Sequence, residues 1–256
     1  MGQYYVLVNV IKVQALWPML MKAVEIIWNG SFQRELALLL LDLGKQELSL
    51  EKDCQRHLAT HKEEYPEGTF QLLPRYQQQM VDKTQLQQVH HVGAWAGDRL
   101  VVIGDYSEAA PFPPNGEWKR GNLFNYIDSH SNPTPDVYCF YAEENKESIA
   151  TLKMLCEGKV HLMVNLDKKE YLDPRAYGGE TNVLDYEKIR CSILSDLIIK
   201  LTYSTGSGGG DLPESITSQG VWAGDRIVIC TAEQLDDFES FKDVSSTEDV
   251  KQLGGQ

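Results

Sequence analysis

The 256-residue chain has little of what marks the common chemical classes. Basic residues are scarce: 24 Lys and Arg stand against 37 Asp and Glu, giving a formal net charge of −13. No basic run exceeds "DKK" or "WKR". Proteins that wrap nucleic acid need clustered cations to displace counterions from phosphates, so the composition argues against that class. Long apolar runs are missing as well. "MLMKAVEIIW" and "LALLLLDL" are too short and too charged to span a bilayer. "MGQYYVLVNVIKV" has no basic region ahead of its apolar run, so no secretory leader is expected. Cysteine is limited to Cys54, Cys139, Cys156, Cys191 and Cys230, odd in number and widely scattered. That pattern suits reduced thiols in a cytoplasmic protein better than a disulfide framework.

Strong catalytic signatures are also wanting. "STGSGGGD" (Ser204–Asp211) lacks the Lys of a phosphate loop and the spacing of a dinucleotide-binding turn, and reads as a flexible linker. Cys54, His57 and His61 fall on one face of a predicted helix, with His90 and His91 as further candidates for a tetrahedral zinc set. They lack the paired C-x-x-C or H-E-x-x-H spacing that such sites carry. "IDSHSNPTPD" brings Asp128, Ser129, His130 and Asp136 into one short loop, the residue types of a hydrolase triad. Neighbours on one loop rarely point at each other, and no G-x-S-x-G elbow accompanies them. These residues define an alternative reading, a metal-dependent enzyme or hydrolase. No metal and no cofactor is assigned.

What the chain does have is a word spelled twice. "VGAWAGDRLVVIGDY" (Val92–Tyr106) is followed by "QGVWAGDRIVIC" (Gln219–Cys230). A second pair aligns without a gap: "VLVNVIKVQALWP" (Val6–Pro18) lies over "LMVNLDKKEYLDP" (Leu162–Pro174). Val8, Asn9, Lys12, Leu16 and Pro18 match Val164, Asn165, Lys168, Leu172 and Pro174, always 156 residues apart. The Trp95 and Trp222 blocks are 127 residues apart, so the first copy carries 29 more residues between its blocks. Two shared blocks in one order point to a duplication.

Each copy opens with a buried β-strand pattern, "YYVLVNV" or "VHLMVNL". The first copy continues with a helix around Leu20, Val24 and Ile27 that Asn29-Gly30 closes. A second helix, "SFQRELALLLLDLG", takes Ser31 as its cap and Gly44 as its terminator. The second copy replaces the first helix with the turn-rich "LDPRAYGGETN" and keeps the second as "LDYEKIRCSILSDLIIKL". Both then reach Trp-Ala-Gly-Asp-Arg and a strand. The predicted class is α+β, two related copies, each a small sheet with one or two packed helices. The first copy spans residues 1–150, with an insertion at about 45–90 and a further strand at "DVYCFYA". The second spans 151–256 and ends in a tail expected to be disordered.

Two readings of the pentapeptide follow from its chemistry. As a self-satisfied turn leading into a strand, Trp packs and finds a partner for its N–H, and Gly takes a positive φ. Asp closes the turn, and Arg reaches a carboxylate. As a recognition patch, half-exposed Trp and Arg act as binding anchors, once per copy. The candidate ligand or partner residues are therefore Trp95, Asp98, Arg99, Asp105 and Tyr106 in the first copy, and Trp222, Asp225 and Arg226 in the second.

"VNLDKKEYLDP", the glycine-rich "GGGD" and "GVWAGDRIVI" together resemble an uncharacterised group of small bacterial and fungal proteins that share these three motifs in this order. The second copy resembles them over about Val160–Cys230. The first keeps "VLVN", Leu16, Pro18 and "GAWAGDRLVVIGDY" but loses the acidic "DKKEYLD" and the glycine loop. Only the first retains Gly104-Asp105-Tyr106; the second has Thr231-Ala232-Glu233 there. The resemblance implies a domain and brings no activity with it. The expectation is a non-enzymatic binding module with a protein partner, binding neither nucleic acid nor membrane.

Overall fold

A computed structural model describes residues 4–16, 22–44, 91–105, 124, 127–128, 131–133, 152–153, 155–177, 193–203 and 220–245. The glutamine-rich insertion, the predicted "DVYCFYA" strand, the glycine loop and most of the tail lie outside them.

Among the described residues eight strands form one mixed sheet, with helices packed on it, which is an α+β fold. In chain order these are β1 (Tyr5–Asn9), β2 (Gln14–Leu16), α1 (Ala23–Trp28), α2 (Gly30–Leu40), β3 (Asp98–Gly104), β4 (Leu162–Asn165), β5 (Glu170–Leu172), α3 (Ile193–Leu201), β6 (Thr202–Tyr203), β7 (Arg226–Cys230) and β8 (Lys242–Asp243). The strand order is β2-β1-β3-β7-β4-β5-β8, and β6 adds to β3 in parallel. The segments on either side of residue 150 meet where β3 pairs antiparallel with β7. Among the described residues no helix is long and apolar enough to cross a membrane.

The central runs of β1, β3, β4 and β7 are apolar and buried because both faces of the sheet are covered there. β1 alternates Tyr5 and Leu7 toward one face with Val6 and Val8 toward the other, all buried. The first face carries the helices. Leu36, Leu39 and Leu40 of α2 and Leu197, Ile198 and Leu201 of α3 pack with Leu100, Val102, Met163 and Ile229 in one apolar layer. That layer draws on both halves of the chain. On the opposite face Leu162, Val164, Val228 and Cys230 are covered by Leu235, Phe238 and Phe241. A buried polar contact ties the helices together: Gln33 donates to Ser195 Oγ at 3.1 Å, and Ser195 donates to the Ile27 carbonyl at 3.0 Å.

Local chemistry departs from the sequence expectation at α2. Its cap is Asn29, not Ser31, because Asn29 Oδ1 accepts the Phe32 N–H at 3.0 Å. The helix also stops before Gly44. Leu41 turns extended and bridges to Ile229, and the Asp42 N–H donates to the Ile229 carbonyl at 2.8 Å. A sheet partner, not the glycine, ends it. The short strands β2 and β5 were not expected. Each returns as a hairpin against the strand before it, with Leu7 opposite Leu16 and Met163 opposite Leu172.

Candidate functional site

The two hairpin turns are built by one asparagine each. Asn9 Oδ1 accepts the N–H groups of Ile11 (3.1 Å) and Lys12 (3.0 Å). Asn165 Oδ1 accepts those of Asp167 (3.0 Å) and Lys168 (2.9 Å). Both asparagines are fully buried, and each turn closes on a left-handed residue, Val13 or Lys169, with φ of 53° in both. A buried amide must place all its polar atoms, and the Nδ2 groups do so. Asn9 Nδ2 donates to Asp98 Oδ2, and Asn165 Nδ2 to Asp225 Oδ2, each at 2.8 Å.

This fixes the pentapeptide aspartates. Asp98 also receives Lys12 Nζ, and Asp225 receives Lys168 Nζ at 2.5 Å. Each lysine donates as well to a carbonyl of the same turn, Ala94 or Val221. The glycines between, Gly97 and Gly224, take φ of 78° and 82°, a region closed to most side chains. Trp95 and Trp222 are wholly buried, and their indole N–H groups donate to Gln14 Oε1 (2.8 Å) and Glu170 Oε2 (2.7 Å). The half-exposed tryptophan patch of the recognition reading is therefore corrected: neither indole offers surface, because each fills the core under its own hairpin.

The arginines behave differently. Arg99 and Arg226 are directly opposite one another in the β3–β7 pairing, where like charges repel. Asp167 relieves that repulsion. Its Oδ2 accepts Arg99 Nη1 at 2.8 Å, and its Oδ1 accepts Arg226 Nε at 2.7 Å. The Arg226 backbone N–H also donates to Oδ2 at 3.1 Å, and Arg99 Nη1 donates to the Gly224 carbonyl at 2.9 Å. Burial pushes the Asp167 carboxyl up. The Arg226 hydrogen bonds and the two guanidinium charges outweigh it and hold the group below its ordinary range. The arginine side chains keep 32% and 49% of their surface. Here the surface-facing part of the repeated word lies.

Asp105 is not part of this cluster. It sits beyond the far end of β3, about 20 Å along the strand from Asp98. There its N–H donates to the Tyr4 carbonyl (2.9 Å) and its Oδ1 accepts the Tyr4 N–H (3.1 Å). Tyr106 lies outside the described residues, as do Cys54, His57, His61, His90, Ser129, His130 and Asp136. Among the described residues no three His, Cys, Asp or Glu side chains group as a metal site. An open cleft of about 760 Å³ lies on the opposite side of β4 and β5, lined in part by Lys159, Tyr171, Arg175, Glu233 and Phe238. Arg175 is bound there to Asp173.

Sequence reasoning missed Asp167 as the bridge between the arginines. It also missed the asparagines and lysines behind the aspartates, although Asn9, Asn165, Lys12 and Lys168 were among the matched positions. Recurrence in the alignment was the signal. Fold and cluster define an α+β protein whose most distinctive polar feature is a guanidinium pair shared by one carboxylate. Comparisons with protein-family models, with curated proteins and with solved structures found no match to the chain.

Proposed function

We propose that the chain is a binding module made of two copies of one unit, with the half-exposed Arg99 and exposed Arg226 at their junction as its recognition surface for a protein partner. The duplication is supported by contacts that recur residue for residue. Asn9, Lys12 and Asp98 correspond to Asn165, Lys168 and Asp225. The Gly97 N–H donates to the Ile227 carbonyl (2.8 Å), and the Gly224 N–H to the Leu100 carbonyl (2.7 Å). Under this reading the two copies meet about a local dyad that runs through the Arg99–Arg226 pair, where a residue faces its own counterpart.

One observation carries the functional part. Trp95, Trp222, Asp98 and Asp225 are consumed by internal hydrogen bonds, whereas both guanidiniums keep N–H donors that face no protein acceptor among the described residues. Arginine is favoured as an interface anchor because its planar fork of donors recognises carboxylates at small entropic cost. No cofactor enters this reading.

Capture of partners from cell extract by immobilised protein tests it. Arg99→Ala and Arg226→Ala should melt within about 1 kcal/mol of wild type, since exposed ion pairs contribute little, and should lose the captured protein. Large stability losses with unchanged capture would give the arginines to the fold alone.

A further inference from the structure

We infer that the Arg99–Arg226 pair takes a carboxylate side chain of an acidic partner segment, seated on the Ile11 side of the pair. The inference rests on the binding-module reading and adds the chemistry of its ligand.

The charge count sets the ligand. Among the described residues, the ion pairs at the β3–β7 junction engage four cations, Lys12, Arg99, Lys168 and Arg226, and three carboxylates, Asp98, Asp167 and Asp225, while Glu170 accepts the Trp222 indole N–H instead. The lysines are matched one to one by Asp98 and Asp225. The arginines share Asp167, which leaves one positive charge in a chain whose net charge is −13. Arg226 uses only Nε on the side chain of Asp167, and Arg99 uses only Nη1. Both Nη atoms of Arg226, with Nε and Nη2 of Arg99, have no acceptor among the described residues. One further monoanion balances the site. A phosphate dianion would overshoot it and face the existing carboxylates.

The chain itself shows where that anion belongs. Leu166 N–H donates to the Arg226 carbonyl and Val10 N–H to the Arg99 carbonyl, both at 2.9 Å. The next residue after Leu166 is Asp167; the next after Val10 is Ile11. Both have their N–H held by the hairpin asparagine, at 3.0 and 3.1 Å. Ile11 thus takes beside Arg99 the position that Asp167 takes beside Arg226, but brings a methyl-rich side chain, 53% exposed, and no charge. The second carboxylate that two equivalent units would supply is missing from the chain. A partner carboxylate completes the arrangement, and an apolar neighbour on the partner packs on Ile11. The overall negative charge does not forbid this contact, because charges beyond about 8 Å are screened at physiological salt.

The test is anisotropy of a fluorescein-labelled peptide of alternating Glu and Leu, titrated with the full chain. Binding should saturate, weaken as salt rises, and vanish when Gln replaces each Glu. Ile11→Asp, which restores an internal carboxylate at an exposed position, should weaken binding about tenfold or more, as expected for losing charge-assisted hydrogen bonds. Ile11→Asn, of similar size and uncharged, should bind within about twofold of wild type, and Asp167→Asn should bind more tightly, having lost the competing carboxylate. Ile11→Asp binding like wild type overturns the inference. If Arg226→Gln then still abolishes binding, the module reading stands and only the seat is wrong. An unstructured oligothymidine that competes as well as the peptide overturns it in favour of a phosphodiester, the other monoanion of matching charge. No binding of the peptide by wild type overturns it outright, while partner capture that depends on the arginines leaves the module reading intact.

Discussion

Arg99 and Arg226 stand directly opposite each other across two antiparallel strands, and a single carboxylate, Asp167, holds both guanidiniums. Two like charges in register are tolerated because that carboxylate divides its oxygens between them. The geometry makes Asp167 a group whose ionisation contributes modestly to stability.

Acid should therefore act through Asp167. Its folded-state pKa is depressed below the unfolded value near 3.9, so its contribution is complete above about pH 4 and is lost as pH falls through the folded value. Asp167→Asn should be less stable than wild type near neutral pH. The gap between their urea midpoints should shrink as the pH is lowered toward about 3. A gap that stays constant with pH would mean the carboxylate charge does not hold the pair.

The tryptophans should report on stability alone. Trp95→Ala and Trp222→Ala each empty a fully buried site and strand a polar partner, Gln14 or Glu170. Each should cost about 3–5 kcal/mol in denaturant melts. The two losses should be similar, since the indoles occupy matching environments.

The hairpin asparagines give a second matched pair. Asn9→Ala and Asn165→Ala remove an acceptor for two backbone N–H groups and a donor to a half-buried aspartate. A loss of about 2–3 kcal/mol is expected for each, because unsatisfied buried groups cost more than the hydrogen bonds contributed. Chemical denaturation reads it directly. A loss below about 0.5 kcal/mol would mean that water replaces the amide at no cost.

His161 should add a pH dependence in a different window. Burial, and then the charge of Lys159, press its pKa down to about 4 against the partial opposition of Glu233. Its Nδ1 has no hydrogen-bond partner among the described residues. The unfolded chain binds the proton more readily between about pH 6.5 and 4, so stability is full above 6.5 and falls as the pH drops through that range. The shift amounts to a loss of order 3 kcal/mol. His161→Gln should flatten this part of a stability–pH profile while leaving the Asp167 limb below about pH 4 in place.

Cys156 and Cys230 are buried thiols whose pKa values burial raises to about 12. Nucleophilic attack needs the thiolate, so iodoacetamide at neutral pH should label neither in the native protein and both in urea. Peptide mass mapping distinguishes the cases. Rapid native labelling of Cys230 would show that the cover formed by Leu235, Phe238 and Phe241 opens readily.

The strands β1, β3, β4 and β7 were legible in the sequence because runs such as "VLV" and "LVVI" have no solvated face to alternate with. The recurring Asn, Lys, Trp and Asp were visible too, as matches at fixed spacing. Their meaning was not. Hydrogen bonds such as Asn9 to Asp98 cross 89 residues, and no local pattern ranks one polar pair above another at that separation. Trp95 and Trp222 could have been anchors or core until the hairpins were seen to roof them.

The sequence by itself determined the main strands and helices and the recurrence of one polar set, since propensity, hydrophobic period and turn chemistry act between near neighbours. The tertiary structure alone decided that β3 pairs with β7, so that Arg99 meets Arg226, and that Asp167 reaches both while Ile11 leaves the other side uncharged. The reason is physical: strand pairing and charge sharing depend on distances between residues far apart in the chain, which are fixed only when the common apolar layer closes.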